Sequence, residues 1–301
     1  MKYEHKKALL ITIGADTSSV KVNDKYVPNF NGGFRGPFWE EGDRFEYIPI
    51  PETIMKHRSN GKWEWTGKYV EGDKNTYGNA CGNRLKEAII TNIPSKFREK
   101  LRNVAMHHDP NFRDLTYGDG KRYTPRGKQL AKLKPDDLLV FCPSLQNPET
   151  RGPDRGRFII GYFRVEHVFD FTDPEFEKRY ECTRSEVIRK YQNKNAHFSA
   201  EFAKAWDCSQ EELFECYLDE KEADLVLVVG KKEESGLFER AIRITALHGC
   251  KYFVMPQNLV RDLGLRKPAK PLRYEKGWKW VEGDPHIRNL ISLLRKGQSS
   301  M

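Results

Sequence analysis

The chain has 301 residues, 32% of them charged, and Lys plus Arg outnumber Asp plus Glu by 52 to 43, for a net charge of +9. An aromatic content of 12% is too high for a disordered chain, and no apolar run approaches the ~18 residues of a membrane span. Ala8 to Ile13 is too short for a secretory core, so a cytoplasmic protein without membrane contact is expected. Ala8–Ile13 instead reads as a buried strand stopped by Gly14. Residues 14–43 follow as a long irregular stretch, rich in Gly, Asn and Asp, whose Phe30, Phe34, Phe38 and Trp39 argue for an ordered, packed loop. Phe45–Ile50 predicts a second strand, and 53–82 more loop or a hairpin.

Helical spacing begins near Gly82 and restarts at Pro94, with Phe97, Leu101 and Val104 on one stripe. Residues 126–133 predict a short basic helix. The turn Pro135-Asp136-Asp137 then launches the apolar strand 138–141, and a basic loop leads into a long β-rich run over 157–171. Gly161 inside that run suggests a bulge. The pattern is mostly helical over 174–218. A buried strand is expected at 224–229, a turn at 230–236 and a short helix from Leu237. Helices are also expected at 256–263 and 285–294. Strands and helices intermix without βαβ alternation, which favours an α+β fold with a mixed, partly barrel-like sheet surrounded by helices. With no repeat or linker in view, residues 1–301 read as one composite domain.

Charge is distributed unevenly. Residues 265–301 hold nine basic side chains against three acidic ones, and 121–134 hold six basic ones and no acid. Residues 207–224 are strongly acidic. Clustered cations favour a phosphate-rich partner because they displace condensed counterions; a solvated charged surface accounts for them equally well. The six cysteines are scattered without a C-x-x-C pair, which removes the spacing of structural zinc sites and redox motifs. Phosphate-loop, dinucleotide-binding, nucleophile-elbow and H-E-x-x-H signatures are also missing.

The densest polar cluster is Met106-His107-His108-Asp109-Pro110, followed by Thr116-Tyr117-Gly118-Asp119. Two imidazoles and two carboxylates in this arrangement suit a divalent metal or general acid–base catalysis. Adjacent residues on a strand face opposite ways, so only one of His107 and His108 is expected to face the site. Asp109 could equally orient His108 or close the turn before Pro110. A second candidate is the turn Gly14–Ser19, where Asp16 could hold a substrate amine or merely close an Asx-turn. Asn195 and His197 could add ligands to a base edge. Trp278 and Trp280 alternate with Lys276 and Lys279, which suits a nucleic-acid strand or one face of an edge strand.

The segment from the basic helix through Pro135–Val168, and by extension 126–245, resembles the PUA, EVE and ASCH group of small barrels, which recognise single or modified bases. Asp136-Asp137 stands where those families have Gly-Asp. Under that resemblance Arg151, Arg155 and Arg157 would contact phosphates, and Phe141, Tyr162 or Phe163 would stack a flipped base; otherwise these aromatics are core. Taken in order, ALLITIGADTSS, FEYIPIPE, HHDPNFRDLTYGD, RGKQLAKLKPDDLLVFCPSL, RFIIGYFRVEHV and LFERAIRIT resemble the nucleotide modification associated domain proteins of the third type through nearly the whole chain. Ala15 departs from the Gly-Phe-Asp-Ser-Ser turn of that family. The resemblance implies a role tied to modified bases in DNA, and it puts Asp16, Ser18, Glu52, His108, Asp109 and Asp119 on recurring polar positions.

The expectation that follows is recognition or processing of a modified nucleobase in nucleic acid, DNA before RNA. His108, Asp109, Asp16 and Asp119 would be the chemical groups, and Ser18, Glu52, His107, Asn195 and His197 further pocket residues. Tyr117, Lys121, Arg122, Arg126, Lys128, Arg151, Arg155, Arg157, Lys276 and Lys279 would contact the nucleic acid. A divalent metal is compatible with this set, and oligomeric state is left open. The alternative is a cytosolic hydrolase or transferase acting on free nucleotides or a small phosphorylated metabolite.

Overall fold

The computed structural model describes residues 6–13, 19–22, 25–28, 36–39, 44–45, 47, 49–57, 63–73, 75–81, 102–122, 124–146, 155–248, 252–265 and 278–298. Asp16, Ser18, Arg151 and Lys276, and the helical patterns from Gly82 through Pro94, lie outside these residues.

The first apolar run forms β1 (Lys7–Ile11). Within the expected loop 14–43 the chain forms a hairpin, β2 (Ser19–Val22) with β3 (Lys25–Pro28), and then β4 (Gly36–Trp39), which pairs with β5 (Arg44–Phe45). Of the strand expected over 45–50, Phe45 lies in β5 and Ile50 opens β6 (Ile50–Pro51). The segment 53–82 holds the hairpin of β7 (Thr53–His57) and β8 (Trp63–Tyr69), then the short α1 (Tyr77–Cys81). β9 (Met106–His107), β10 (Thr116–Asp119), α2 (Pro125–Leu130), β11 (Leu138–Phe141), β12 (Ser144–Gln146) and the 16-residue β13 (Arg155–Asp170) follow. Four helices come next, α3 (Phe176–Tyr180), α4 (Arg184–Tyr191), α5 (Ala200–Ala205) and α6 (Gln210–Leu218). The chain continues as β14 (Val226–Gly230), β15 (Gly236–Arg243), β16 (Ala246–His248), β17 (Tyr252–Val254), α7 (Gln257–Asp262), β18 (Trp278–Glu282) and α8 (Asp284–Arg295).

The fold is α+β. Among the described residues, ten strands form one mixed sheet organised on β13, whose length lets it pair with β12 and β11 on one edge and with β15 and β14 on the other. Beyond β11 come β1, parallel to it, and the antiparallel β18; beyond β14 comes β10. Among the described residues the sheet does not close into a barrel. Its strands read as continuous apolar runs because both faces are covered. Leu9, Ile11, Leu139 and Phe141 point into one core, while Ala8, Leu10, Leu138 and Val140 point into a second beneath α7 and α8. A third core joins the far end of β13 and β14 to α3–α6.

Two local features explain departures from the expected pattern. β15 replaces the helix expected from Leu237. Its register against β13 shifts between Ile159 and Gly161, which leaves Phe238 and Ala241 buried three residues apart and imitates a helical period. Gly161 is required there, because a Cβ would lie 2.4 Å from the Gly236 carbonyl oxygen. Asp136, where the barrel-like pattern has Gly, adopts φ 74°, the left-handed region that Gly and Asp tolerate best.

Candidate functional site

Glu52, His107, Asp109 and His197 converge from three separate segments. Glu52 sits between β6 and β7, fixed by its N–H on the Ala105 carbonyl (2.9 Å) and by its own carbonyl, which accepts from Val70 N (3.1 Å). β9 pairs with β6, placing His107 opposite Ile50. Asp109 follows in the turn that leads to a cis Asp109–Pro110 peptide. His197 rides on a single 3₁₀ turn, Ala196–Phe198. Asn195 Oδ1 caps this turn by accepting from His197 N (3.0 Å), while Phe198 is buried in the third core and so fixes its orientation. Thr116 Oγ1 and Asn111 Nδ2 both donate to the Lys194 carbonyl, at 2.6 and 2.8 Å, tying this segment to the His/Asp loop.

His107 Nδ1 lies 2.5 Å from Glu52 Oε1, and its Nε2 lies 3.8 Å from Asp109 Oδ2. His197 Nε2 approaches the same Oδ2 at 3.3 Å, and Asp109 Oδ1 accepts from Gly118 N at 2.9 Å. The two imidazoles meet edge to face, with centroids 5.2 Å apart, and Phe202 packs against both. His107, Asp109 and His197 offer donor atoms within 4.8 Å of one another. All four side chains are largely buried. Such a cluster can move a proton between carboxylate and imidazole or hold a cation.

Burial works against charge on the His107 ring, but Glu52 and Asp109 outweigh it and raise its pKa to about 10. Burial also works against charge on Asp109, yet hydrogen bonding to His107 and His197 keeps its carboxyl below the ordinary value. In His108 burial, the neighbouring His107 charge and Arg113 all lower the pKa. The raised His107 stabilises the fold fully below the unfolded histidine value near 6.5, and that stabilisation is lost as pH rises toward 10. The depressed Asp109 acts oppositely, its stabilisation being lost as pH falls through the acid range. With a chelator present, unfolding free energy from urea titrations is therefore expected to fall by ~2–4 kcal/mol between pH 6.5 and 10. In His107→Gln that slope should flatten; an unchanged slope would contradict the assignment.

His108 lies outside the cluster and lines a cavity of about 450 Å³ together with Asn75, Asn111, Gln192, Asn195 and Gln210. Asn195 is 3% exposed, and its Nδ2 has no hydrogen-bond partner among the described residues. Two exposed cations, Arg113 and Lys194, stand at the same cavity.

Sequence reasoning singled out all four members of the cluster, and the structure pairs Asp109 with His107 and His197 rather than with His108. Gly118 and Phe202 were missed. A Cβ on Gly118 would lie 2.6 Å from His197 Cδ2, so the bare backbone is what admits the ring. Its place between Tyr117 and Asp119 was the available signal. Those two neighbours project to the other face of β10. Tyr117 packs in the core, edge-on to Phe141. Asp119 pairs with Arg126 and accepts from Thr124 Oγ1 (3.0 Å).

Several expected phosphate contacts are engaged within the fold. Arg126 also donates to the Thr12 carbonyl, and Lys121 binds Asp170 and Thr172. Arg122 donates to the carbonyls of Glu220 and Lys221. Arg157 is buried, Lys128 is exposed, Lys279 is half-buried on β18, and Arg155 pairs through its backbone with Gln146. Phe141 and Phe163 are core residues, and Tyr162 packs on Phe238. No helix of the described residues is long and apolar enough to cross a membrane. The family model described as nucleotide modification associated domain 3 matches residues 7–288 of the chain. No curated protein and no solved structure matches it.

Proposed function

This chain belongs to the nucleotide modification associated domain 3 family, and from that premise we propose that it recognises or processes a modified nucleobase of nucleic acid, DNA before RNA, in the cavity beside the His107–Asp109–His197 cluster. Family membership ties the protein to nucleic-acid modification. The observation that carries the finer reading is the pairing of a buried two-imidazole, two-carboxylate cluster with a cavity lined by side-chain amides. Amides supply both donors and acceptors, the complement of a base edge. About 450 Å³ falls within the size range of small-ligand sites. A base must leave its stack to enter such a cavity, which a single strand or a damaged pair allows most cheaply. That the cluster gathers residues 52, 107, 109 and 197 supports reading the chain as one composite domain.

Asn195 is the sharpest test. Its Oδ1 holds the His197 turn, while its Nδ2, buried and without a partner among the described residues, is the donor assigned to an acceptor on the base once the cavity opens to it. Asn195→Asp keeps the cap and replaces the donor by an oxygen. It should therefore weaken binding of a base-modified oligonucleotide ~10- to 100-fold by fluorescence anisotropy, read at a temperature where calorimetry shows the variant folded, because a carboxylate at this buried position also lowers the melting temperature. Equal affinity in the variant would remove Asn195 from the reading.

The engagement of Lys121, Arg122 and Arg126 within the fold favours a second reading, a hydrolase or transferase for free nucleotides or a small phosphorylated metabolite. Strand length separates the two. A nucleic-acid site gains affinity from mononucleotide to oligonucleotide and carries a salt slope. If Arg113 and Lys194 hold phosphates, the double variant Arg113→Ala, Lys194→Ala should lower that slope by about 1.4 for a single strand. A slope near zero in the wild type would favour the free nucleotide.

A further inference from the structure

We propose that His107, Asp109 and His197 are the protein ligands of a divalent first-row transition-metal ion, with Glu52 fixing His107 from behind. Bond lengths of about 2.1 Å in a tetrahedral site place donor atoms about 3.4 Å apart. Asp109 Oδ2 lies 3.3 Å from His197 Nε2 and 3.8 Å from His107 Nε2, and all three donor atoms lie within 4.8 Å of one another, so side-chain adjustment is what brings the three onto one ion. Both rings present the same nitrogen, Nε2, to the same carboxylate oxygen.

The surrounding groups complete the arrangement. A metal-bound histidine characteristically gives its other ring nitrogen to a carboxylate, which sets the tautomer and strengthens the ligand. Glu52 Oε1 at 2.5 Å from His107 Nδ1 occupies that position. On Asp109 the Gly118 N–H engages Oδ1 and leaves Oδ2 to the cation. Phe202 covers both rings with an apolar wall, which restrains them and limits water. Glu52 and Asp109 bring two buried carboxylates, and a dication balances both.

Two imidazoles with one carboxylate select zinc, iron, cobalt or manganese over magnesium and calcium, whose sites are built from oxygen. Three protein ligands leave coordination positions for water or substrate, as in catalytic rather than structural centres. The metal site stands independently of the base-recognition reading. A chain that binds metal here and no nucleic acid would end that reading and leave the site intact.

The test uses the full-length chain stripped with EDTA and titrated with Co²⁺, read by visible absorption and by metal content after desalting. One equivalent per chain is expected, with d–d bands of nitrogen and oxygen ligation. His197→Ala and Asp109→Ala should weaken binding at least 100-fold, and Glu52→Gln about 10- to 100-fold. His167→Ala, a half-exposed ring on β13, and Cys216→Ser should bind as the wild type. Wild-type protein alone decides if the variants misfold. Binding well below one equivalent, or a thiolate-to-cobalt charge-transfer band, would overturn the site. So would wild-type affinity in a folded His197→Ala protein.

Discussion

Asp109→Asn is expected to destabilise the protein by about 3 kcal/mol while leaving its overall fold intact, because it removes the charge on which the cluster is built. The carboxylate meets three groups at once, His107 Nε2, His197 Nε2 and the Gly118 N–H. Asparagine keeps its shape and can still accept from Gly118. It leaves the buried His107 charge with Glu52 alone, and an uncompensated buried charge is far costlier than an intact pair is beneficial. Urea titration near pH 6.5 measures the loss. A double-mutant cycle with His107→Gln identifies its cause. Since the two residues share one interaction, the double variant should cost clearly less than the sum of the singles. Additive costs, or a loss below ~0.5 kcal/mol, would show that the contact carries little energy. The same variant should still bind the modified base, because Asp109 does not line the cavity.

Gly118→Ala should be nearly as damaging from the opposite direction, by adding a single methyl group. The new Cβ would lie 2.6 Å from His197 Cδ2 and 3.1 Å from Leu225 Cδ1. His197 cannot retreat freely, because Phe202 packs against it at a tilt of 59° with centroids 4.6 Å apart and His107 meets it edge to face. Either the ring leaves Asp109 or β10 moves away from β14. The expected cost is ~1–3 kcal/mol from overpacking, with a displaced His197 ring resonance in NMR spectra of the variant. Gly236→Ala is the matched control, since a Cβ there meets nothing within 4 Å. It should be close to neutral. A stable Gly118→Ala protein with an unmoved His197 resonance would refute the proposed role of Gly118.

These residues also show how far the sequence reaches. The strands that build the sheet are visible because their apolar runs are buried on both faces, as in ALLI of β1 and LLVF of β11. α8 is visible because Ile287, Leu290 and Leu294 repeat at helical spacing. Asn195 and Ser199 sit where caps belong, so the local course around His197 is legible as well. Pairing is not legible. Which of His107 and His108 meets Asp109 depends on β9 pairing with β6, a contact between residues more than fifty positions apart. The need for glycine at 118 arises from a ring that approaches from residue 197. Lys121 and Arg126 look like surface cations until the fold places Asp170 and Asp119 beside them. β15 is misread because its bulge gives a strand a helical spacing of buried residues.

The most direct test of base recognition is the affinity of the purified chain for oligonucleotides that differ only in one modified base, measured at two salt concentrations with unmodified DNA and RNA alongside. Recognition in the amide-lined cavity predicts salt-sensitive binding that prefers the modified strand, with the preference abolished by Asn195→Asp. Failure to bind any oligonucleotide at low salt, or binding that ignores both the base and Asn195, would contradict it.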